Sequence, residues 1–217
     1  MSNYSKPDYW SLKAQKEGYP ARSVYKLKEM DEKFGLFRSL SGDTGSHADR
    51  SSPDREGRIF RVLDLGAAPG SWSLYVLRKG GAFLTAADLS PLSRQYDKGL
   101  FDGDNFCFIQ GDITDQKIRE EILSHGPYSL VISDAAPATT GNRSVDTLRS
   151  LGLAEAVLSY ADGLTKGGSM VIKVFQGGDT AEILKRLREL FATGKSFKPE
   201  ACRSESFETY YLGLNKK

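Results

Sequence analysis

Apolar positions change period along this chain, and the changes mark its elements. Over 8–17 and 22–34 they recur at helical spacing, on either side of Gly18, Tyr19 and Pro20, a turn signal. From 39 to 57 the periodicity gives way to Ser, Gly, Asp, Arg and Pro, which predicts an exposed, inserted loop. Beyond it, short apolar runs at 60–65, 83–87, 106–109, 130–133 and 169–175 read as strands. Helical patterns at 71–79, 115–124, 145–164 and 180–191 alternate with them, so a parallel sheet covered by helices on both faces is expected. Two last runs, 195–203 and 207–214, follow one another without a helix and predict an antiparallel hairpin at one sheet edge. The expectation is an α/β chain with a mostly parallel seven-stranded sheet, a single domain over 1–217. Within it, 1–38 is a helical extension, 39–57 the loop and 58–217 the core.

Composition adds little until charge is divided along the chain. The net charge of +2 conceals basic ends, with 8 Lys/Arg against 5 Asp/Glu over 1–38 and 8 against 4 over 185–217. Both basic tracts carry aromatics that could stack on unpaired bases: Tyr9, Trp10, Tyr19, Tyr25, Phe197, Phe207, Tyr210 and Tyr211. Solvated helix faces and core aromatics would give the same pattern. No apolar stretch approaches the roughly 18 residues of a membrane span, so a soluble, cytoplasmic protein is expected. Cys107 and Cys202 are too far apart for a zinc or redox motif, and His47 and His125 stand alone, so no metal is expected.

The most informative segment runs from Arg61 to Trp72, an apolar strand ending in a glycine-rich turn that leads into a helix. Gly66 and Gly70 allow backbone to approach a ligand at the carboxyl end of the sheet. The spacing is not that of a dinucleotide turn, because Ala67, Ala68 and Pro69 follow Gly66. It resembles instead the S-adenosylmethionine loop of class I methyltransferases. Asp88 ends the second strand, where a carboxylate can accept ribose hydroxyls, and Asp112 follows the third, where one could meet an adenine amino group. Either could instead be a helix cap or turn residue, but the spacing between successive strand ends favours a shared ligand. Lys173 is the one charge in the apolar run 170–175, costly there unless paired or functional, and Asp134 ends the neighbouring strand.

Four segments together resemble the FtsJ/RrmJ family over nearly the whole chain: Tyr25-Lys26-Leu27, Asp64 to Gly70, Ser133 to Pro137, and Lys173 to Gly177. The resemblance implies a Rossmann-like class I methyltransferase fold and S-adenosylmethionine-dependent methylation of an RNA ribose 2′-hydroxyl. The implied target is a uridine of 23S ribosomal RNA in the large ribosomal subunit. Carried over by motif, the family's Lys-Asp-Lys-Glu tetrad falls on Lys26, Asp134, Lys173 and Glu208, the last through the short pattern Ser206-Phe207-Glu208-Thr209-Tyr210. Gly66, Ala67, Pro69, Gly70, Trp72, Asp88, Asp112 and Asp134 are the implied cofactor contacts. A ribose hydroxyl is a poor acid, so its proton must be removed or its growing negative charge stabilised, and the tetrad offers both. Two cations at one site would each push the other towards the neutral form. One arginine of the family's basic run before the tetrad lysine is missing here, leaving Arg22. The alternatives are 2′-O-methylation of tRNA or another RNA, or a catalytically silent RNA-binding protein of ribosome assembly. A monomer is expected.

Overall fold

The computed structural model describes residues 8–40, 59–177, 180–203 and 205–217. Two helices come first, α1 (Tyr9–Lys16) and α2 (Val24–Phe34). Asp8 caps α1 by accepting the Ser11 amide at 2.9 Å. Gly35 ends α2 in the left-handed region at φ 66°, its N–H bonded to the Asp31 carbonyl. Arg38–Leu40 form one 3-10 turn, and the rest of the expected inserted loop lies outside the described residues.

The core then alternates as its apolar periods require: β1 (Phe60–Leu65), α3 (Ser71–Lys79), β2 (Ala82–Asp88), β3 (Phe106–Gln110), α4 (Gln116–Ser124), β4 (Tyr128–Ser133), α5 (Arg143–Ser159), β5 (Leu164–Phe175), α6 (Thr180–Leu190), β6 (Phe191–Phe197) and β7 (Glu208–Lys216). One seven-stranded sheet results, in the order β3-β2-β1-β4-β5-β7-β6. β7 runs antiparallel to both its neighbours, and the pairs from β3 to β5 are parallel. Strand order reverses between β1 and β4, which opens a crevice at their carboxyl ends.

Successive strand residues face two separate cores. Val62 of β1 packs with α2, α3 and β7, while Leu63 and Leu65 pack on the other face with α5 and α6. On the first face Asp31, buried in α2, takes hydrogen bonds from Tyr75 (2.7 Å) and the Phe37 amide (3.1 Å) and pairs with Lys79 at 2.6 Å. α2 is thereby fixed to α3, and it packs in the same core as β1 and β7.

Several boundaries differ from those the sequence suggested. The helix expected over 145–164 stops at Ser159, a 3-10 turn covers Tyr160–Gly163, and Leu164 already belongs to β5, paired with Tyr128. The hairpin begins earlier than expected, at Phe191, whose fully buried ring continues the apolar period of α6 into the strand. Residues 198–203 lie outside the strands: Pro199 has no N–H to give a ladder, and its carbonyl takes the Cys202 amide in a tight turn. The hairpin still closes one edge, but β7 is the inner strand and β6 the outer one.

Candidate active site

A cavity of about 390 Å³ lies in the crevice at the carboxyl ends of the central strands. Its floor is the glycine loop. Gly66 N and Ala67 N both donate to the Ala87 carbonyl (2.9 and 3.2 Å), and the Asp88 carboxylate takes the Ala68 amide at 2.9 Å and the Ser90 amide at 2.8 Å. Gly66, at φ 75°, has no room for a side chain, since a Cβ there would stand 2.5 Å from the Ala135 backbone. That glycine lets β1 and the segment after β4 close on each other under the cavity.

Asp88 and Asp112 both line the cavity, and both also serve local turns. One oxygen of Asp112 accepts the Thr114 amide and hydroxyl at 2.9 and 2.7 Å. These bonds, the amide's first, hold the Asp112 carboxyl below the usual carboxylate range. The turn role and the ligand role left open by the sequence therefore coexist, since an ionised carboxylate has lone pairs to spare. Leu89 and Ile113 supply apolar wall between the two acids. Apolar walls for a flat ring and carboxylates for hydroxyl and amino groups fit a nucleoside-sized ligand.

Of the expected cofactor contacts, Gly66, Pro69, Asp88, Asp112 and Asp134 line the cavity. Ala67, Gly70 and Trp72 stand behind it. Gly70 backs onto the Phe101 ring, where a Cβ would sit at 2.9 Å. Trp72 is buried against Tyr210, and its indole N–H donates to the Ser23 carbonyl at 2.8 Å. Next to it Ser71 exchanges two hydrogen bonds with the Ala21 backbone, at 2.8 and 3.1 Å. The first turn of α3 thus anchors the chain that leads into α2, and Ser23 reaches the cavity wall, a contact absent from any local motif.

The four tetrad positions come together from four remote segments; Asp134 and Lys173 line the cavity, and Lys26 and Glu208 join them through ion pairs from outside its lining. Asp134 follows β4 directly. Lys173 projects from β5 with Nζ 3.0 Å from Asp134 Oδ1, and it also donates to the Asp134 carbonyl. Lys26, from the buried side of α2, lies 2.8 Å from Glu208 and 3.9 Å from Asp134. Tyr210 pairs with Lys173 across the antiparallel β5–β7 ladder, and its hydroxyl donates to Asp134 Oδ1 at 2.6 Å. Tyr210 was read from the sequence as a possible base-stacking residue; it is fully buried and serves as a brace for Asp134. Its position two residues after Glu208, on the same strand face, was the available signal.

Burial alone would favour a protonated Asp134. Lys173, Lys26 and the Tyr210 hydroxyl outweigh it and hold that carboxyl below the usual range. Burial also opposes the charge on Lys26, but Asp134 and Glu208 outweigh it and raise Lys26 above the ordinary lysine value. The expected drift of both lysines towards neutrality therefore fails for Lys26, because each cation has an acid beside it. Deeper still, Asp64 has one oxygen bonded to Ser73 Oγ at 2.7 Å and the other buried without a partner. Burial pushes its carboxyl up to about 7.

The basic ends are less free than their composition suggested. Arg22 ion-pairs with Asp8 and donates to the Ala201 carbonyl, and Lys198 donates to the Ser206 carbonyl at 2.7 Å. Tyr19, Tyr25 and Tyr211 are buried, whereas Tyr9 is 70% exposed. Lysines remain layered over ring faces along the α1–α2–β6 side, with Lys13 4.7 Å from the Tyr25 centroid and Lys33 4.3 Å from that of Phe197. Among the described residues, no three His, Cys, Asp or Glu side chains gather in a group that could hold a metal ion.

Comparison with known proteins gives the family of the chain. The model of the FtsJ-like methyltransferases matches residues 19–216. A Treponema denticola protein named ribosomal RNA large subunit methyltransferase E is 52% identical over 220 residues, covering 100% of this chain and 98% of that one. A Borreliella afzelii protein of the same name is 44% identical over 208 residues, covering 95% and 96%. Among solved structures, a Plasmodium falciparum protein assigned as a ribosomal RNA methyltransferase superposes with a TM-score of 0.67 at 23% identity, over 91% of this chain and 98% of that one. A family match across the Lys26 to Glu208 span and relatives of near-equal length leave one assignment: this chain belongs to the FtsJ-like methyltransferase family.

Proposed function

We propose that this protein transfers a methyl group from S-adenosylmethionine to a ribose 2′-hydroxyl of RNA, a uridine of 23S ribosomal RNA in the large ribosomal subunit. The observation that carries this reading is the convergence of Lys26, Asp134, Lys173 and Glu208 in one chain of ion pairs, of which Asp134 and Lys173 line a nucleoside-sized cavity. The names of the full-length relatives support the choice of ribosomal RNA.

Gly66 and Pro69 would hold the cofactor from below, with Asp88 and Asp112 at its hydroxyl and amino groups. When bound, its sulfonium supplies an already activated methyl group, so the protein's task is alignment and control of charge and proton. Asp134 fixes Lys173 Nζ at the cavity end; once that ammonium has given up a proton to solvent, its free amine takes the proton of the ribose hydroxyl as the oxygen attacks. Lys26, held as an ammonium, offsets negative charge growing on the same oxygen. Glu208 keeps Lys26 in place, and Tyr210 keeps Asp134 in place. A protein that only bound RNA would have no use for two lysines and two acids held this way. In this reading the chain works as one catalytic unit, with α1 and α2 turned towards the RNA.

Transfer of labelled methyl groups to undermethylated large subunits, compared with unmodified tRNA, tests the assignment. Label is expected in the large-subunit RNA. Preferential labelling of tRNA would move the substrate, and no transfer to any RNA despite cofactor binding would overturn the enzymatic reading.

A further inference from the structure

We propose that Glu29 and Arg22 are positioning residues that clasp the turn before β7 and thereby fix Lys26 against Glu208. The inference rests on the functional reading above and deepens it. Lys26 and Glu208 lie 182 positions apart in sequence, on α2 and at the start of β7, yet their charged atoms are only 2.8 Å apart. Their own ion pair is not enough to hold two elements in register, since it must overcome the loss of solvation of both groups. The clasp supplies the rest.

Arg22, Lys26 and Glu29 follow at spacings of four and three, along one stripe of α2 and the turn before it. All three reach the C-terminal hairpin. Glu29 accepts two consecutive backbone amides, Glu200 N at 2.6 Å and Ala201 N at 2.8 Å, one on each carboxylate oxygen. Arg22 donates to the carbonyl of the same Ala201, and Asp8 holds the guanidinium from the other side. Two charge-assisted bonds to adjacent amides and a third to the carbonyl fix the 199–202 turn in position and rotation. The next residue, Cys202, is buried beside Glu208, and burial first, with the Glu208 charge behind it, pushes its thiol up to about 12. The path is short: Glu29 and Arg22 grip the turn, the turn carries Cys202 against Glu208, and Glu208 meets Lys26 one helical turn from Glu29.

The other end of the same stretch is tied to the cofactor loop, through Ser71 to Ala21 and Trp72 to Ser23. Lys26 is thus held between two anchors, one on α3 and one on the hairpin. Glu29 touches neither the cavity nor the tetrad directly, so its effect must pass through the placement of Lys26. Arg22, which resembles a phosphate-binding residue in sequence, has its guanidinium engaged within the fold on two sides.

A double-mutant cycle tests this. Glu29→Gln keeps the shape of the side chain but turns an N–H₂ towards one of the two amides. In otherwise native protein it should lower kcat on the order of 10-fold, with RNA KM and cofactor Kd within about 2-fold. In a Lys26→Met background the same change should have no further effect on kcat, because the residue through which Glu29 acts is gone. Arg22→Gln should behave alike, and it serves where Glu29→Gln folds poorly. Titration of the Lys26 ammonium by NMR, which needs no activity, should move towards the ordinary lysine range in Glu29→Gln. Additive losses in the Lys26→Met background, or a raised RNA KM with unchanged kcat in Arg22→Gln, would overturn the proposal, the latter marking Arg22 as an RNA contact. An altered Lys26 titration in a protein whose wild type methylates no RNA would instead sink the functional reading and leave the clasp standing.

Discussion

The two ends of the cavity are built on different principles. The cofactor end is local: β1, its glycine turn, and the acids that close β2 and follow β3 are successive strand ends of one βαβ series, held by backbone bonds such as Gly66 N to the Ala87 carbonyl. The catalytic end is remote. It joins α2, the end of β4, the carboxyl end of β5 and the start of β7 through side-chain charge pairs of 2.8 to 3.9 Å. A local site can be read from spacing and tolerates only what its backbone allows. A remote site depends on each charge having its partner, and on whatever holds the elements together.

The sharpest way to break this contrast is to remove the charge at its centre. Lys173→Ala should lower the single-turnover rate by at least the ~100-fold typical of losing an acid-base group, with cofactor and RNA still bound within a few-fold. A loss of cofactor affinity as large as the loss of rate would mean that the two ends are not separable.

The local end should fail in the opposite way. Gly66→Ala drives a Cβ to within 2.5 Å of the Ala135 backbone at φ 75°, so cofactor affinity should fall more than 10-fold. Gly80→Ala, at φ 73° and ψ 170° but with nothing within 4 Å of the added Cβ, isolates the conformational cost alone, about 1–3 kcal/mol, and should leave affinity unchanged. Calorimetry on both variants separates the clash from the backbone strain.

These differences explain what could be read from the sequence. The sheet, its hairpin and the Asp64 to Gly70 loop were legible because each is a local period or turn. Asp88 and Asp112 were legible as strand-end acids with a turn role as the alternative, though nothing in their spacing shows that each could serve both. Lys173 and Asp134 stood out as charges beside apolar runs, but the pairing of Lys26 with Glu208 follows only from the resemblance, since no local pattern connects α2 with β7. Trp72 sits in the loop motif and was read as a contact, whereas its ring packs away from the cavity; a side chain's direction is set by the core it meets. Ser23 and Glu29 escaped notice, and Tyr210 was given another role, because their partners, Trp72, the 200–201 amides and Asp134, are remote in sequence.

A smaller effect probes Asp64, buried beneath the local end. Below pH about 4 the folded and unfolded chains both carry its proton. As pH rises towards 7 the unfolded chain gives up that proton first, because the folded carboxyl is pushed up to about 7, so stability should fall across this window and then level off. Asp64→Asn should remove that slope, worth roughly 2–4 kcal/mol between the two ends. Urea unfolding of ligand-free protein from pH 4 to 8 reads it directly, and an unchanged slope would place the titration elsewhere.

The smallest expected change is at Trp72. Trp72→Phe keeps a ring in the core and removes the bond to the Ser23 carbonyl, at a cost of about 1 kcal/mol in stability. Cofactor Kd should shift by less than about 3-fold, and a larger loss would restore Trp72 to the cofactor site.

The account stands on the ribose oxygen as methyl acceptor, and analysis of the labelled product tests that most directly. Large-subunit RNA methylated by this protein, digested to nucleosides and separated, should yield its label as 2′-O-methyluridine. Label on a base carbon or nitrogen would contradict the roles given to Lys26, Asp134, Lys173 and Glu208, even with the same RNA as substrate.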